Sequence, residues 1–240
     1  MRLLLIGKNG QLGFELRRAL APLGEVFGVD FPECDLAQPA SIQAIVAQVN
    51  PHVIVNAAAY TAVDKAESEP ALARAINAAA PGLLGEAARR IGARVIHYST
   101  DYVYDGAKRT PYREDDATGP LGIYGLTKRD GDAALAASGA DYFVFRTSWV
   151  FGAHGGNFVK TILRLAAERD KLAIVADQFG APTSAALRAD VTAQVLGQLR
   201  WHAPAAAPSG VYHLTAGGET SWHGFAQAIL RGGVARGLTF

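Results

Sequence analysis

The sequence predicts an α/β fold, in which a doubly wound parallel sheet is followed by a smaller C-terminal α/β region. Short, continuous apolar runs alternate with segments whose apolar residues recur at helical spacing. Strands that a parallel sheet buries on both faces have this pattern. The chain has 240 residues, of which 50% are hydrophobic and 19% are charged, so it can bury a full core without disulfides. A disordered chain and a short scaffold are both excluded.

Strand and helix alternate five times in the first part of the chain. Apolar residues between the predicted strands fall on one helix face, as at Leu12, Leu16 and Leu20. Crossovers of this kind are right-handed, and they place a ligand crevice at the carboxyl ends of the strands. The predicted strands are residues 3–6, 26–29, 53–55, 94–98 and 142–146.

After residue 146 the alternation loosens, so we predict a principal domain over 1–146 and a smaller region over 147–240. Pro/Ala-rich composition marks a linker inside the smaller region. Its predicted elements are a helix over 157–168, a strand over 172–175, a helix over 185–199, the linker over 202–208, a strand over 211–214 and a helix from about 222.

Charge and cysteine content narrow the class of ligand. The formal net charge is +1 and no basic run exceeds two residues, which argues against nucleic acid or an anionic membrane as a partner. The single Cys34 cannot form an internal disulfide, and the apolar run near the N-terminus is too short for a signal peptide or a membrane span. We therefore expect a cytoplasmic protein with a small-molecule ligand and an inert Cys34.

A glycine-rich turn follows the first predicted strand and opens the first predicted helix. Gly7 allows the tight turn, Gly10 lets the backbone approach a pyrophosphate, and Gly13 lets helix pack on strand. A generic strand-to-helix turn is the alternative, but this position favours a Rossmann-like dinucleotide site in the principal domain. The G-x-x-G-x-x-G spacing is that of short-chain and extended short-chain reductases.

Asp30 ends the second predicted strand, where an acidic side chain can accept hydrogen bonds from the adenosine ribose. This favours NADH, whereas a nearby arginine could admit NADPH, and a surface-turn aspartate is the alternative. Asp35 and Leu36 lie where they could flank the adenine. The predicted cofactor is therefore NADPH or NADH.

Tyr124 and Lys128 lie four residues apart on a predicted helix over 124–137, so both side chains share one face. An ammonium group close to a phenol lowers the phenol pKa, which suits proton transfer to or from a carbonyl. A helix-start tyrosine with a solvated lysine is the alternative. Thr100 ends the fourth predicted strand, where its hydroxyl could bond a substrate carbonyl or complete a turn. Its neighbour Ser99 points to the opposite face.

Six sequence blocks in this order resemble the dTDP-4-dehydrorhamnose reductase family of extended short-chain dehydrogenases/reductases. The resemblance runs from Met1 to about Leu230. It implies NAD(P)H-dependent reduction of the C4 keto group of dTDP-4-dehydro-β-L-rhamnose to dTDP-β-L-rhamnose, in dTDP-rhamnose biosynthesis. The blocks are residues 7–13, 56–67, 99–106, 124–128, 146–150 and 177–183.

The resemblance also implies roles for individual residues. Tyr124, Lys128 and Thr100 would be catalytic, and Thr100, Asp101 and Trp149 would contact the sugar nucleotide. The Trp149 indole could stack on thymine, with a buried core tryptophan as the alternative. The residues implied to line the dinucleotide are Gly7, Gly10, Gln11, Leu12, Gly13, Asp30, Asp35, Leu36, Ala59, Tyr60, Thr61, Tyr98, Tyr124 and Lys128.

The sequence departs from the family pattern at several positions. Gly122 stands where the family usually has asparagine. Some members hold Mg²⁺ at a dimer interface through glutamates; Glu15 is present, but Ala186 replaces the second, so we predict no metal site and leave a homodimer open. Family members continue beyond residue 240, so we expect a truncated C-terminal region, with a frayed terminus as the alternative.

Two other functions stay open at this point. One is a nucleotide-sugar epimerase or dehydratase of the same superfamily, although Asp101 is followed by Tyr102 and Val103 rather than by the acidic residues of dehydratases. The other is a non-enzymatic, dinucleotide-binding regulatory subunit, against which Tyr124 and Lys128 argue. The strand histidines His52, His97 and His213 are predicted to be satisfied core or edge residues rather than ligands.

Overall fold

The computed structural model describes residues 1–201 and 208–240. The strands are β1 (Arg2–Ile6), β2 (Glu25–Val29), β3 (Val53–Asn56), β4 (Arg94–Thr100), β5 (Asp141–Thr147), β6 (Val150–Phe151), β7 (Phe179–Gly180), β8 (Thr183–Ser184), β9 (Gly210–His213) and β10 (Thr220–Ser221). Six of them form a central sheet of order β2-β1-β3-β4-β5-β9, in which all neighbouring strands are parallel. The helices are α1 (Gln11–Leu20), α2 (Pro39–Val49), α3 (Val63–Ala66), α4 (Pro70–Arg74), α5 (Ala80–Ile91), α6 (Ile123–Ala137), α7 (Phe158–Glu168), α8 (Ala185–Trp201) and α9 (Trp222–Val234).

Helices cover both faces of the sheet because the side chains of each strand alternate in direction. Leu4 and Ile6 of β1 pack with α2, α5 and α6, whereas Leu3 and Leu5 pack with α1 and α8. Burying each such side chain stabilises the fold by about 1.5–3 kcal/mol before entropy is counted. The predicted doubly wound α/β fold is confirmed.

The five strands predicted before residue 147 are confirmed, with small shifts of their bounds. The helices predicted before and after that residue are confirmed in the same way. β4 runs beyond the predicted residue 98 as far as Thr100, which carries Ser99 and Thr100 to the carboxyl edge of the sheet. The strand predicted over 172–175 is wrong. That segment is irregular and has no paired strand, and the Val175 carbonyl instead accepts a hydrogen bond from the His223 backbone at 2.9 Å. The predicted linker lies outside the described residues except at Pro208.

The region after residue 146 contributes to the central sheet as well as to a smaller unit. β9 pairs with β5, and α8 packs against α1. The two-stranded pairs β6–β8 and β7–β10, with α7 and α9, make up the smaller unit beyond the carboxyl edge. The division at residue 146 stays a prediction. Over the part of the chain that the structure describes, no helix is long and apolar enough to cross a bilayer.

Candidate active site

The glycine-rich turn leaves the start of α1 open to a ligand. Gly7 has a φ of +88°, and its N–H donates to the Val29 carbonyl at 2.9 Å. A Cβ on Gly13 would lie 1.8 Å from the Gly7 carbonyl oxygen, so only glycine lets the helix pack on this turn. Gly10 begins α1 without a side-chain cap, and the first turn carries no acidic residue. The free backbone N–H groups of the first turn of α1 can therefore bind a pyrophosphate, and the helix dipole favours its negative charge.

A cleft of about 350 Å³ runs from this turn along the carboxyl edge of the sheet. It brings together residues that follow β1, β2 and β3 with residues of α1, β4, α6 and α8, which lie far apart in sequence. The predicted residues that line it are Gly7, Gly10, Gln11, Leu12, Asp30, Ala59, Thr61, Tyr98, Tyr124 and Lys128.

Four predicted cofactor residues lie outside this lining. Gly13 packs against the turn. Leu36 is only 6% exposed and belongs to the core, while the Asp35 carboxylate accepts a hydrogen bond from the Ala37 backbone at 2.9 Å. The Tyr60 hydroxyl donates to Glu69 at 2.7 Å.

Asp30 lines the cleft, but both of its carboxylate oxygens have partners. The carboxylate accepts hydrogen bonds from the backbone N–H groups of Asn9 at 3.0 Å and Phe31 at 2.9 Å. Lys8, beside it, is paired with Glu33 at 2.5 Å. The ribose end of the cleft thus carries an anchored carboxylate next to a lysine with an exchangeable partner.

Lys128 is held by buried groups rather than by solvent. It is 2% exposed, and its Nζ donates to the Tyr98 carbonyl at 2.7 Å and lies 3.1 Å from Nε2 of His97. Burial lowers the pKa of Lys128 to about 8, while the neighbouring carboxylate of Asp132 acts in the opposite direction.

Tyr124 begins α6 and lies at the cleft wall. Burial raises its pKa to about 12, although a hydrogen bond with Thr100 and the charge of Arg188 pull the pKa down. The sequence-based expectation that Lys128 lowers this pKa is not met, because the Lys128 ammonium group is engaged by His97 and Tyr98. At neutral pH Tyr124 is a protonated phenol, which is the form that donates a proton.

Thr100 and Ser99 serve different faces of β4, as predicted. The Thr100 hydroxyl donates to an Asp101 carboxylate oxygen at 3.1 Å, and burial raises the pKa of Asp101. The Ser99 hydroxyl donates to the buried Asp132 at 2.9 Å. Thr100 and Asp101 therefore lie together beside Tyr124, whereas Ser99 bonds to Asp132 of α6 and also lines the cleft.

A second cavity of about 550 Å³ adjoins the cleft, and Thr147 lines both. Its walls include Asp101, Tyr104, Arg146 and the largely exposed ring of Phe179. The mixture of aromatic rings, a carboxylate and a guanidinium suits a polar ligand with a flat ring system.

Trp149 lies in the small C-terminal unit against another tryptophan. Its indole stacks on Trp222 with ring centroids 3.6 Å apart, and Gly180 lies against its edge. Trp222 thereby covers one face of the Trp149 indole, so a nucleobase could stack only on the other face. The role of Trp149 stays a prediction.

Several residues of the site carried no distinctive signal in the sequence. His97 is buried and satisfied, as predicted, but its partner is Lys128. Asn77, in a π-helical turn (Ala75–Ala79) between α4 and α5, accepts from the Tyr60 N–H at 2.8 Å and donates to the Tyr60 carbonyl at 3.0 Å. A single asparagine inside an apolar helix does not reveal such a contact. Arg188, in α8, is the third such residue.

The unusual Gly122 has a local explanation. The Glu67 carboxylate accepts a hydrogen bond from the Ile123 N–H at 2.7 Å, and a Cβ on Gly122 would lie 2.9 Å from that oxygen. Glycine therefore leaves room for Glu67 at the start of α6. Within residues 1–201 and 208–240, no group of three or more His, Cys, Asp or Glu residues is placed to hold a metal ion.

Comparison with known proteins places this site in a family. The family model described as "RmlD substrate binding domain" matches residues 1–236. The dTDP-4-dehydrorhamnose reductase of Burkholderia thailandensis is 52% identical over 231 residues, covering 96% of this chain and 78% of that protein. The chain belongs to the dTDP-4-dehydrorhamnose reductase family.

Other members of the dTDP-4-dehydrorhamnose reductase family agree in sequence and in fold. The Salmonella typhimurium enzyme is 47% identical over 243 residues, covering 100% of this chain and 80% of that protein. The Bacillus anthracis enzyme, solved in complex with NADP, superimposes with a TM-score of 0.88 at 36% identity, covering 97% of this chain and 80% of that chain. The family resemblance drawn from the six sequence blocks is confirmed.

Proposed function

We propose that this chain reduces the C4 keto group of dTDP-4-dehydro-β-L-rhamnose to give dTDP-β-L-rhamnose, with NADPH or NADH as reductant. The observation that carries the proposal is the position of Tyr124, a protonated phenol in the wall of the dinucleotide cleft beside Thr100 and Asp101, of which Asp101 lines the second cavity. Sequence identity of 52% to a reductase of this name supports the substrate.

The chain's own residues supply binding and proton transfer. A bound dihydronicotinamide supplies the hydride in this class of reaction. As the carbonyl carbon gains the hydride, the C=O π pair moves to oxygen, and that oxygen takes the proton of the Tyr124 hydroxyl. The tyrosine is left as a phenolate, which solvent later protonates. Raised to about 12, the pKa of Tyr124 keeps the phenol protonated until this step.

The other site residues position the reactants. Lys128 lines the cleft with its Nζ already oriented by the Tyr98 carbonyl, so a remaining N–H can hold the nicotinamide ribose. Thr100 lines neither cavity, and its hydroxyl would turn from Asp101 to donate to the keto oxygen once substrate is bound. Asp101 faces the second cavity, where we place the sugar nucleotide. Holding both reactants in contact removes much of the entropic barrier of the bimolecular reaction.

We also propose that both cofactors are used. The anchored Asp30 carboxylate suits the ribose hydroxyls of NADH and repels a 2′-phosphate, whereas Lys8 can exchange Glu33 for that phosphate. A relative from Bacillus anthracis was solved with NADP, which supports acceptance of the phosphorylated cofactor. Because the charges of Asp30 and Lys8 act in opposite directions, we expect only a modest preference between NADH and NADPH.

The test is a stoichiometric assay of the purified chain with dTDP-4-dehydro-L-rhamnose and each cofactor. We expect one cofactor oxidised for each dTDP-L-rhamnose formed. A nucleotide-sugar epimerase or dehydratase would convert a sugar nucleotide without net cofactor oxidation, and a regulatory subunit would bind cofactor without converting any 4-keto sugar nucleotide.

Tyr124→Phe removes the donated proton, and we expect a loss in kcat of about 10²–10⁴-fold with cofactor binding retained. Tyr142→Phe, a half-buried tyrosine on β5, is the matched control. Near-normal turnover by Tyr124→Phe would overturn the assignment of the proton donor.

A further inference from the structure

Arg188 is a fully buried cation in the wall of the active-site cleft. It is 1% exposed, lies in the first turn of α8, and lines the cleft with Tyr98, Tyr124 and Lys128. Charged side chains are almost never buried to this degree unless an opposite charge or a full set of hydrogen bonds accompanies them.

The hydrogen bonds of Arg188 fall short of that requirement. Its Nη2 donates to the Ser148 carbonyl at 2.5 Å, while its Nε is buried with no hydrogen-bond acceptor. Among the ion pairs of residues 1–201 and 208–240, none includes Arg188. The guanidinium thus carries a buried positive charge that no carboxylate neutralises at contact distance, which is unfavourable unless it serves a negative charge formed in the site.

The ionisable groups around Arg188 identify that negative charge. Burial lowers the pKa of Arg188 to about 10, whereas Tyr98, Asp101 and Tyr124 favour its charged form. The Tyr98 hydroxyl is already bonded to Thr192 at 2.7 Å, and Asp101 already accepts from Thr100. Tyr124 is the group of the three that must become an anion during the proposed reaction.

The groups that act on the Tyr124 phenol come from β4, the turn after it and α8. They are Thr100 at the end of β4, Asp101 and Tyr102 in the following turn, and Arg188, which lines the same cleft as Tyr124. Of these, only Arg188 is a cation. Lys128, one helical turn along α6, directs its Nζ to Tyr98 and His97 instead.

We propose that Arg188 stabilises the phenolate that Tyr124 becomes when it gives its proton to the substrate. The Tyr124 O–H bond breaks, its electron pair stays on the phenolic oxygen, and the proton goes to the oxygen that was the keto group. Arg188 offsets the new charge in a region of low dielectric, where a fixed cation is most effective. Lys128 is then left to orient the ribose. This inference rests on the proposed function.

Oxidation of dTDP-L-rhamnose by NADP⁺ tests the inference, because in that direction Tyr124 must first be a phenolate. The rate therefore rises with pH up to the apparent pKa of Tyr124. Arg188→Gln retains an amide donor for Ser148. In this variant we expect the pH dependence of the oxidation rate to shift to higher pH by about one unit, which is equivalent to about a tenfold lower rate at a fixed pH. Arg188→Lys keeps the positive charge, so its pH profile should lie between those of the parent and of Arg188→Gln.

Two further measurements separate this role from a structural one. Arg18→Gln, an exposed arginine on α1, is the control and should leave the pH profile unchanged. The second measurement is an ultraviolet titration of tyrosinate in the NADP⁺ complex, which needs no turnover. The same titration of Tyr124→Phe identifies the signal that belongs to Tyr124. If Arg188→Gln shifts neither the pH profile nor the titration, the inference is overturned, even if the variant is less stable. If the chain lacks reductase activity but the titration shifts, the proposed function fails and the coupling of Arg188 to Tyr124 stands.

Discussion

Nζ of Lys128 lies 3.1 Å from Nε2 of His97, so a buried amine is paired with an imidazole rather than with a carboxylate. On the far side of the ring, Nδ1 is 3.2 Å from the amide nitrogen of Asn56, whose oxygen accepts the Ala58 N–H. That amide orientation makes Nδ1 an acceptor and places the imidazole hydrogen on Nε2. Above its lowered pKa of about 8, Lys128 can accept this hydrogen as a neutral amine.

His97→Leu should loosen Lys128 while leaving the core packed. We expect the Kd for NADPH to rise about tenfold, because misplacing a positioning group by about 1 Å has effects of this size or larger. Quenching or enhancement of the dihydronicotinamide fluorescence on binding measures the Kd directly. His223→Leu, an exposed histidine on α9, is the control, and an equal effect in both variants would contradict the role of His97.

Lys128→Met should change how stability depends on pH. Lys128 is a base whose pKa is lowered from 10.5 to about 8, so across that window the unfolded chain holds a proton that the folded chain has released. Stability contributed at this site therefore rises with pH from about 8 to 10.5 and is lowest below pH 8. The variant should be more stable than the parent by the largest margin below this window.

Urea unfolding of Lys128→Met and the parent at several pH values measures this margin. The difference in free energy of unfolding should narrow by on the order of 3 kcal/mol across the window. A difference that stays constant with pH would show that the amine is charged in the folded protein throughout.

Lys8→Ala should affect one cofactor more than the other. If Lys8 releases Glu33 to meet a 2′-phosphate, its loss raises KM for NADPH by about fivefold, the scale of an exposed charge contact, and leaves KM for NADH nearly unchanged. Lys160→Ala, an exposed lysine on α7, is the control. Equal changes for both cofactors would place the phosphate elsewhere.

Gly13→Ala tests the packing of the turn. The added Cβ would lie 1.8 Å from the Gly7 carbonyl oxygen, so backbone must move. We expect a loss of about 1–3 kcal/mol in the free energy of unfolding, together with weaker cofactor binding. A Cβ on Gly156 would meet nothing within 4 Å, so Gly156→Ala is the matched control in the same denaturant experiment. A neutral Gly13→Ala would contradict the geometry of the turn.

The fold and the glycine-rich turn could be predicted because their signals are local. Continuous apolar runs such as β1 and the spacing of Gly7, Gly10 and Gly13 follow from burial and backbone conformation alone. The electrostatics could not be predicted, because they depend on residues brought together by the fold. Lys128 reaches His97 of β4, and Arg188 arrives from α8, so the cation acting on Tyr124 is not the one that the Tyr-x-x-x-Lys spacing indicates. The error at residues 172–175 has the same origin, since an apolar run becomes a strand only beside a partner.

Transfer of deuteride from NADPH that carries deuterium at both C4 positions is the most direct test of the central claim. The chain would be incubated with dTDP-4-dehydro-L-rhamnose and the labelled cofactor, and the product examined by NMR. We predict deuterium at C4 of the rhamnosyl ring, with rates that fall about 10²–10⁴-fold in Tyr124→Phe but leave the position of the label unchanged. Product with hydrogen at C4, or label at another carbon, would contradict the account.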